Sequence, residues 1–185
     1  GETIYYRWTF SPLWIFKAVL SSVVDPGHIC WATDVNYLNT YEMQADRAGG
    51  YKKDLFFIRS FGNERIFEKF SVLVTQETMT RDFNDFWKEM KERNEKSSLM
   101  DKPPYNLKTN FSSSNVSKGV HGYFGVVTEQ AKRWYFSSGE LSYTVVNYLR
   151  EECLKNYGGP PAPECLDCRQ YSFGTATTKK PAWWE

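Results

Sequence analysis

The sequence lacks the features of a membrane-spanning or nucleic-acid-binding protein. No apolar run in its 185 residues reaches the ~18 residues that a transmembrane helix needs. Neither sign of charge dominates, because 23 Lys and Arg stand against 22 Asp and Glu and leave a formal charge of +1. Nucleic-acid binders usually carry a basic stripe, and none is visible here. The composition therefore predicts a globular protein without a nucleic-acid partner.

Catalytic motifs are also missing from the sequence. It has no glycine-rich phosphate loop, no nucleophile elbow and no paired-histidine metalloprotease signature. The two histidines, His28 and His121, stand in no recognised spacing with Cys, Ser or Asp. The acidic pair Glu151 and Glu152 fits a solvated helix end better than the facing carboxylates of a glycosidase. We therefore expect no enzyme activity, no metal site and no cofactor.

Four cysteines, Cys30, Cys153, Cys165 and Cys168, indicate the compartment. An even number with one close pair is typical of an oxidising location, where two disulfides form. A direct Cys165–Cys168 bridge would close a very tight ring. We therefore expect these two cysteines to pair separately with Cys153 and Cys30, and the spacing leaves open which pairs with which. Zinc and thioredoxin-like sites are weaker alternatives, because the other cysteines are isolated and the close pair lies in a Gly- and Pro-rich loop.

The chain begins at Gly1 and enters a strand-like pattern almost at once. A natural protein rarely begins inside a strand, so we expect the sequence to be the C-terminal part of a longer chain. Within it we predict a β-rich domain with an inserted helix over residues 1–157. A Gly/Pro-rich, cysteine-containing tail over residues 158–185 is expected to pack on that domain.

Alternation of apolar and polar side chains predicts a mainly β fold. Residues 4–10 alternate cleanly and fit a half-buried strand, and residues 67–79 fit the strongest strand of the chain. Further strands are expected at 13–20, 55–58, 120–128 and 134–137. The run over 13–20 follows Pro12 and is expected to be an edge strand, and the last two strands are expected to join around 129–132. A loop or short helix is expected over 36–50.

One amphipathic helix is predicted at about residues 80–96. Thr80 can cap its N-terminus, and Phe83, Trp87 and Met90 follow at the spacing of one apolar stripe. Together the patterns predict a mainly β protein with α+β character, in which β-sandwich-like antiparallel sheets carry one helix and a disulfide-tethered C-terminal tail.

Aromatic residues make up 17% of the chain, and some of them fall in predicted loops or near the ends. Exposed Tyr and Trp side chains are common in protein interfaces, whereas rings on the inward phase of a strand usually belong to the core. We therefore expect a binding surface for a glycan or a peptide among the loop aromatics, with these candidates: Trp14, Tyr37, Tyr41, Tyr105, Trp183 and Trp184.

The order of several motifs resembles the domain-of-unknown-function family 4249. The motifs are Cys30-Trp31, FSVLVTQETM (70–79), FNDFWKEM (83–90), GYFG (122–125), ECLDCR (164–169) and KPAWW (180–184). The resemblance extends over nearly all of the chain. The chain is similar to the C-terminal half of the proteins in this family. At Ala182 and Trp183 the sequence departs from the family pattern, which has an acidic residue and Phe there.

The resemblance implies an exported outer-membrane lipoprotein of Bacteroidota. It implies a lipidated signal region and an N-terminal β-domain before this segment, and lipid anchoring at the cell surface, with the periplasmic face as the alternative. It also implies an accessory role beside a TonB-dependent receptor and associated lipoproteins in nutrient uptake. No catalytic or ligand residues are established for the family, so the resemblance assigns none. A free-standing glycan- or peptide-binding module is the alternative function.

Overall fold

Strands are the main elements of the computed structural model, which describes residues 3–38, 41–46, 52–96, 108–115, 120, 122–155 and 158–184. They are β1 (Ile4–Lys17), β2 (Ile29–Thr33), β3 (Tyr41–Asp46), β4 (Lys69–Met79), β5 (Thr128–Ser137) and β6 (Thr175–Thr177). They form a six-stranded sheet in the order β5-β4-β1-β2-β6, and β3 pairs with β1 outside this path. Pairings of β1 with β2, β1 with β3 and β2 with β6 are antiparallel. The predicted mainly β, antiparallel class is confirmed.

The chain folds into two compact units, each made of separate segments. Unit 1 contains residues 1–9, 41–53 and 75–131, and unit 2 contains residues 10–40, 54–74 and 132–185. Strands β1, β4 and β5 therefore each contribute residues to both units. The predicted division at residue 157 stays a prediction, and residues 158–185 belong to unit 2.

Strand β1 is longer than the predicted strand over residues 4–10. It continues through Pro12, and Pro12, Trp14 and Phe16 are buried alternately. The expectation of an edge strand over 13–20 is wrong, because β1 lies between β4 and β2. A proline has no N–H to donate to a strand ladder, so its position relative to the ladders of β1 matters. The β1–β3 register ends at Thr9 and the β1–β2 register begins at Trp14, so Pro12 falls between the two ladders.

Two other strand predictions need correction. Residues 55–58 adopt no assigned strand, although Phe56 and Ile58 pack on the core while Phe57 is 86% exposed. Residues 122–127 are also outside any strand, and β5 begins only at Thr128 and runs through the polar stretch that was expected to join two strands. The first five residues of β5 are all exposed, so this half of the strand has no buried face and no apolar period to reveal it.

Strand β3 lies in the stretch 36–50, where a loop or short helix was expected. It pairs with residues 4–9 of β1, with Trp8 opposite Glu42 and Thr9 opposite Tyr41. Tyr41, Met43 and Ala45 do alternate with polar residues, so the period-two signal is present but only six residues long.

The predicted helix is confirmed as α1 (Arg81–Lys96) in unit 1. The Thr80 Oγ1 accepts a hydrogen bond from the Phe83 backbone N–H at 3.3 Å, so Thr80 caps the helix as expected. Phe83 and Phe86 are buried with Met79, and Trp87 and Met90 pack against them. This apolar stripe forms the core of unit 1.

The C-terminal segment of unit 2 contains helices α2 (Tyr148–Leu154) and α3 (Pro163–Leu166) and strand β6. Two disulfides hold it, Cys30–Cys168 and Cys153–Cys165, which confirms that Cys165 and Cys168 pair with separate partners. The Cys168 N–H also donates to the Gly27 carbonyl at 2.8 Å. The tail is therefore fastened to β2 by a disulfide and by the β2–β6 ladder.

Candidate binding surface

Half of the six candidate aromatic residues are buried in the core of the protein. Trp14, Tyr41 and Trp184 are buried, at 0%, 7% and 5% exposure, so they do not present the exposed rings that we expected. Trp14 follows the buried phase of β1, which continues through Pro12 although the sequence pattern is interrupted there. The Tyr41 hydroxyl donates to the Trp87 carbonyl at 3.0 Å. These three rings therefore stabilise the fold in this conformation.

The other three candidates have different environments. Tyr37 is half-buried, and its hydroxyl accepts a hydrogen bond from Asn63 Nδ2 at 2.7 Å. Burial raises the pKa of the Tyr37 hydroxyl above its ordinary value. Tyr105 lies outside the described residues. Trp183 is 43% exposed and is the candidate that keeps an accessible ring.

A polar cluster packs around Trp14 and joins the tail to the core of unit 2. The Arg65 guanidinium lies over the Tyr37 and Trp14 rings, 4.3 and 5.2 Å from their centroids. The Tyr171 hydroxyl donates to Glu64 Oε1 at 2.7 Å, and Glu64 also contacts Arg65 at 3.2 Å. Burial, followed by the neighbouring Glu64 carboxylate, raises the pKa of Tyr171. Trp14 Nε1 and Arg65 Nε are buried without a hydrogen-bond partner among the described residues, but the other contacts tie the cluster together inside unit 2, so we assign it to stability.

The exposed candidate Trp183 lies against a cation from β5. The Arg133 guanidinium carbon is 3.5 Å from the centroid of the Trp183 ring, a cation–π contact. One guanidinium nitrogen, Nη1, donates to Ser71 Oγ at 3.1 Å, and Ser71 is fully buried. Burial lowers the pKa of Arg133 below its ordinary value, yet an arginine keeps its charge in proteins. Arg133 is therefore a positioned, charged group at the edge of the core.

The neighbouring residues of β5 repeat the same chemistry. The Lys132 ammonium lies 4.4 Å from the centroid of the Trp134 ring, and Trp134 is 56% exposed. The Tyr135 hydroxyl donates to the Trp183 carbonyl at 2.9 Å, which fixes the tail beside the strand. We call this set, Lys132, Arg133, Trp134, Tyr135 and Trp183, the β5 surface.

The cations of the β5 surface have no acidic partner in the described part of the chain. Every ion pair seen there involves other cations, such as Lys17 with Glu68 at 2.7 Å and Lys53 with Glu42 at 3.1 Å. With other described residues, Lys132 and Arg133 make the ring and hydroxyl contacts given above. The β5 surface therefore presents positive charge that no carboxylate in the described ranges neutralises.

Sequence reasoning identified Trp183 but missed Arg133 and Trp134. It assigned residues 134–137 to a strand and treated their rings as inward-facing. The available signal was the adjacent pair Lys132-Arg133 inside a polar stretch followed by Trp134-Tyr135, which is typical of an edge strand exposed on both faces.

A concave groove in unit 2 surrounds the Cys153–Cys165 disulfide. This C-terminal groove has a volume of about 710 Å³, and Leu20, Leu149, Leu154 and Phe173 supply its apolar lining. Glu152, Lys155 and Glu164 also line it. Glu164 is buried and accepts a hydrogen bond from Ser172 Oγ at 3.1 Å, so its carboxylate has a structural partner.

The described ranges contain neither a cluster of metal-ligating side chains nor a helix that could span a membrane. They bring together no group of three or more His, Cys, Asp and Glu side chains that could hold a metal ion. In the same part of the chain, no helix has both the length and the apolar character that crossing a bilayer requires.

The chain was compared with known proteins. No curated protein and no solved structure matches it. Residues 1–133 match a protein family, described as "Domain of unknown function (DUF4249)", and this range includes the motifs at 30–31, 70–79, 83–90 and 122–125. The motifs at 164–169 and 180–184 lie beyond the matched range. Since the match covers most of the chain, the protein belongs to the DUF4249 family.

Proposed function

We propose that this chain is a non-enzymatic binding module of an outer-membrane lipoprotein, and that it acts as an accessory subunit of a TonB-dependent nutrient-uptake complex. The observation that carries the binding role is the β5 surface, where exposed Trp134 and Trp183 are held beside cations that have no described acidic partner. Exposed Trp and Arg side chains are enriched among the residues that dominate protein interfaces.

The envelope location is supported by the disulfides. Both bridges form in this fold, and disulfides persist in oxidising compartments such as the periplasm and the cell surface. The lipid anchor, the Bacteroidota source and the TonB-dependent partner rest on the resemblance described above. Membership of the family is consistent with them.

The alternative function is a free-standing module that captures a glycan or a peptide at the cell surface. It is favoured by the same exposed rings, because Trp side chains can bind sugars and peptides alike. The two functions differ in whether a stoichiometric receptor accompanies the protein.

The test is affinity purification of the full-length lipoprotein from its native outer membrane, read by mass spectrometry. We expect a stoichiometric TonB-dependent receptor with the natural protein, and loss of it with Trp134→Ala combined with Trp183→Ala. Phe57→Ala is the matched control, because Phe57 is an aromatic residue of unit 2 that is 86% exposed and is not part of the β5 surface. Recovery of the lipoprotein alone would contradict the accessory role and favour the free-standing module.

A further inference from the structure

We propose that the β5 surface binds an extended acidic segment of a partner protein, which adds to the sheet as a further strand alongside β5. This inference rests on the proposed function as a binding module and names the chemistry of what is bound. Three features of the structure support it: the backbone edge of β5, the two cations on this strand, and the cations that lie over the two indole rings.

The backbone edge of β5 is the first of these features. β5 is ten residues long and stands at one end of the strand order, where β4 is its neighbour in the described part of the sheet. An end strand presents a row of N–H and C=O groups that a second chain can pair with. The opposite end of the order is β6, which has only three residues and offers a much shorter edge. Strand addition is therefore favoured at β5.

Charge gives the chemistry of the added strand. Lys132 and Arg133 are adjacent on β5 and have no carboxylate partner among the described residues. A guanidinium has five N–H donors, and one Arg133 nitrogen is engaged by Ser71, so donors remain for a carboxylate. Glu129 lies on the same strand but in its unit 1 part. We therefore place the binding site for the partner's acidic segment at residues 132–137 of β5.

The indole faces decide between a peptide and a glycan. A sugar ring binds by stacking on an open aromatic face. Here Arg133 lies over the Trp183 ring and Lys132 lies over the Trp134 ring, so a cation already covers one face of each ring. A partner that supplies carboxylates to those cations keeps both contacts, whereas a stacked sugar competes with them. The arrangement favours an acidic peptide strand.

The experiment measures binding of octapeptides to the 185-residue chain by isothermal calorimetry. The probe repeats two glutamates followed by valine and threonine, so that carboxylates lie on both faces of the added strand. Its first analogue replaces each glutamate with glutamine. We expect the glutamine analogue to bind about tenfold more weakly or worse, because it loses charge-assisted hydrogen bonds. A second analogue carries N-methyl groups on alternate residues, and we expect its binding to be lost because it cannot form a ladder.

Amide hydrogen exchange locates the bound peptide, and variants test the cations. We expect new protection at residues 132–137, and about tenfold weaker binding in Lys132→Gln and in Arg133→Gln. Lys132 is exposed, so Lys132→Gln remains informative even if Arg133→Gln, which loses the contact to Ser71, is less stable. Arg59→Gln is the control, because it removes an exposed arginine from the same unit and should leave the affinity unchanged.

Several results would overturn the inference. They are absence of binding up to millimolar peptide, binding without protection of β5, equal binding of the N-methylated analogue, or protection of β5 by an acidic polysaccharide in place of the peptide. Each of these is separate from failure of the proposed function. If the receptor still copurifies with the natural protein while Lys132→Gln and Arg133→Gln change nothing, the module binds elsewhere and only this inference falls.

Discussion

Trp14 joins side chains from separate segments of unit 2. Its indole has no exposed surface, and its ring centroid lies 5.7 Å from that of Tyr37, 6.4 Å from that of Phe70 and 6.2 Å from that of Tyr171. Arg65 covers part of the ring at 5.2 Å. Such a residue contributes burial and contacts that no small side chain can replace.

We expect Trp14→Ala to destabilise the protein by about 3–5 kcal/mol, because removal of this large buried ring leaves a cavity beneath Arg65. The measurement is the free energy of unfolding from denaturant titration. Trp134→Ala is the matched control, since the same residue type is 56% exposed there and should cost far less. Equal losses in the two variants would show that Trp14 is not a core residue.

The Tyr171–Glu64 hydrogen bond predicts how stability depends on pH. The ordinary tyrosine pKa is 10.0, and in the folded protein the pKa of Tyr171 is raised by burial and by the Glu64 carboxylate. The unfolded chain therefore releases this proton first as the pH rises. The contribution of Tyr171 to stability is complete below the unfolded pKa and is lost as the pH rises above it toward the folded pKa.

We expect Tyr171→Phe to cost about 1.5–3 kcal/mol at neutral pH, because the hydrogen bond to a carboxylate is removed. Between about pH 9 and about pH 11, the natural protein should lose more stability than the variant, so the difference between them narrows. Unfolding free energies measured across that range check this. A difference that widens with rising pH would reverse the assigned direction of the pKa change.

At the scale of the elements, apolar periodicity determined which predictions succeeded. Helix α1 and strand β4 carry long apolar patterns, and both are where the sequence placed them, to within two residues. The sequence prediction split strand β5 between two strands and a connection, because the first half of β5 has no buried face. Segment 55–58 is a continuous apolar run but pairs with no strand of the described sheet, since a strand also requires a neighbour that local sequence does not specify.

The two disulfides should contribute unequally to stability. Cys30 and Cys168 are 138 residues apart, whereas Cys153 and Cys165 are 12 apart. Loop-closure entropy then predicts that replacing both cysteines with alanine costs about 5 kcal/mol for the first bridge and about 3 kcal/mol for the second. Denaturant unfolding of the two double variants under oxidising conditions tests the order. If the short bridge cost more, the enthalpy of local packing would outweigh the entropy of the unfolded chain.

At the scale of the whole molecule, the candidate site was harder to predict than the fold class. Whether an aromatic ring is exposed depends on what packs over it from distant parts of the chain. Trp14 and Trp184 are both covered by such contacts, the latter through the ring of Tyr135 at 5.8 Å. Trp183, next to Trp184, stays accessible. The loop position of a residue in the sequence therefore did not separate core rings from surface rings.

The balance of charge over the chain predicts how an acidic partner is attracted. With a formal charge of +1, the molecule has little long-range field to steer a ligand, so attraction should come from Lys132 and Arg133 locally. Lys132→Glu and Lys52→Glu change the net charge equally, and both lysines are exposed. We expect Lys132→Glu to weaken binding of the acidic octapeptide at least about tenfold, while Lys52→Glu leaves it nearly unchanged.

Calorimetry at about 0.05 M and about 0.5 M salt should show the natural protein losing affinity for the acidic octapeptide as the Debye length shortens, and the Lys132→Glu variant losing much less. Equal weakening by the two variants at low salt would instead show that overall charge, and not the β5 surface, attracts the peptide.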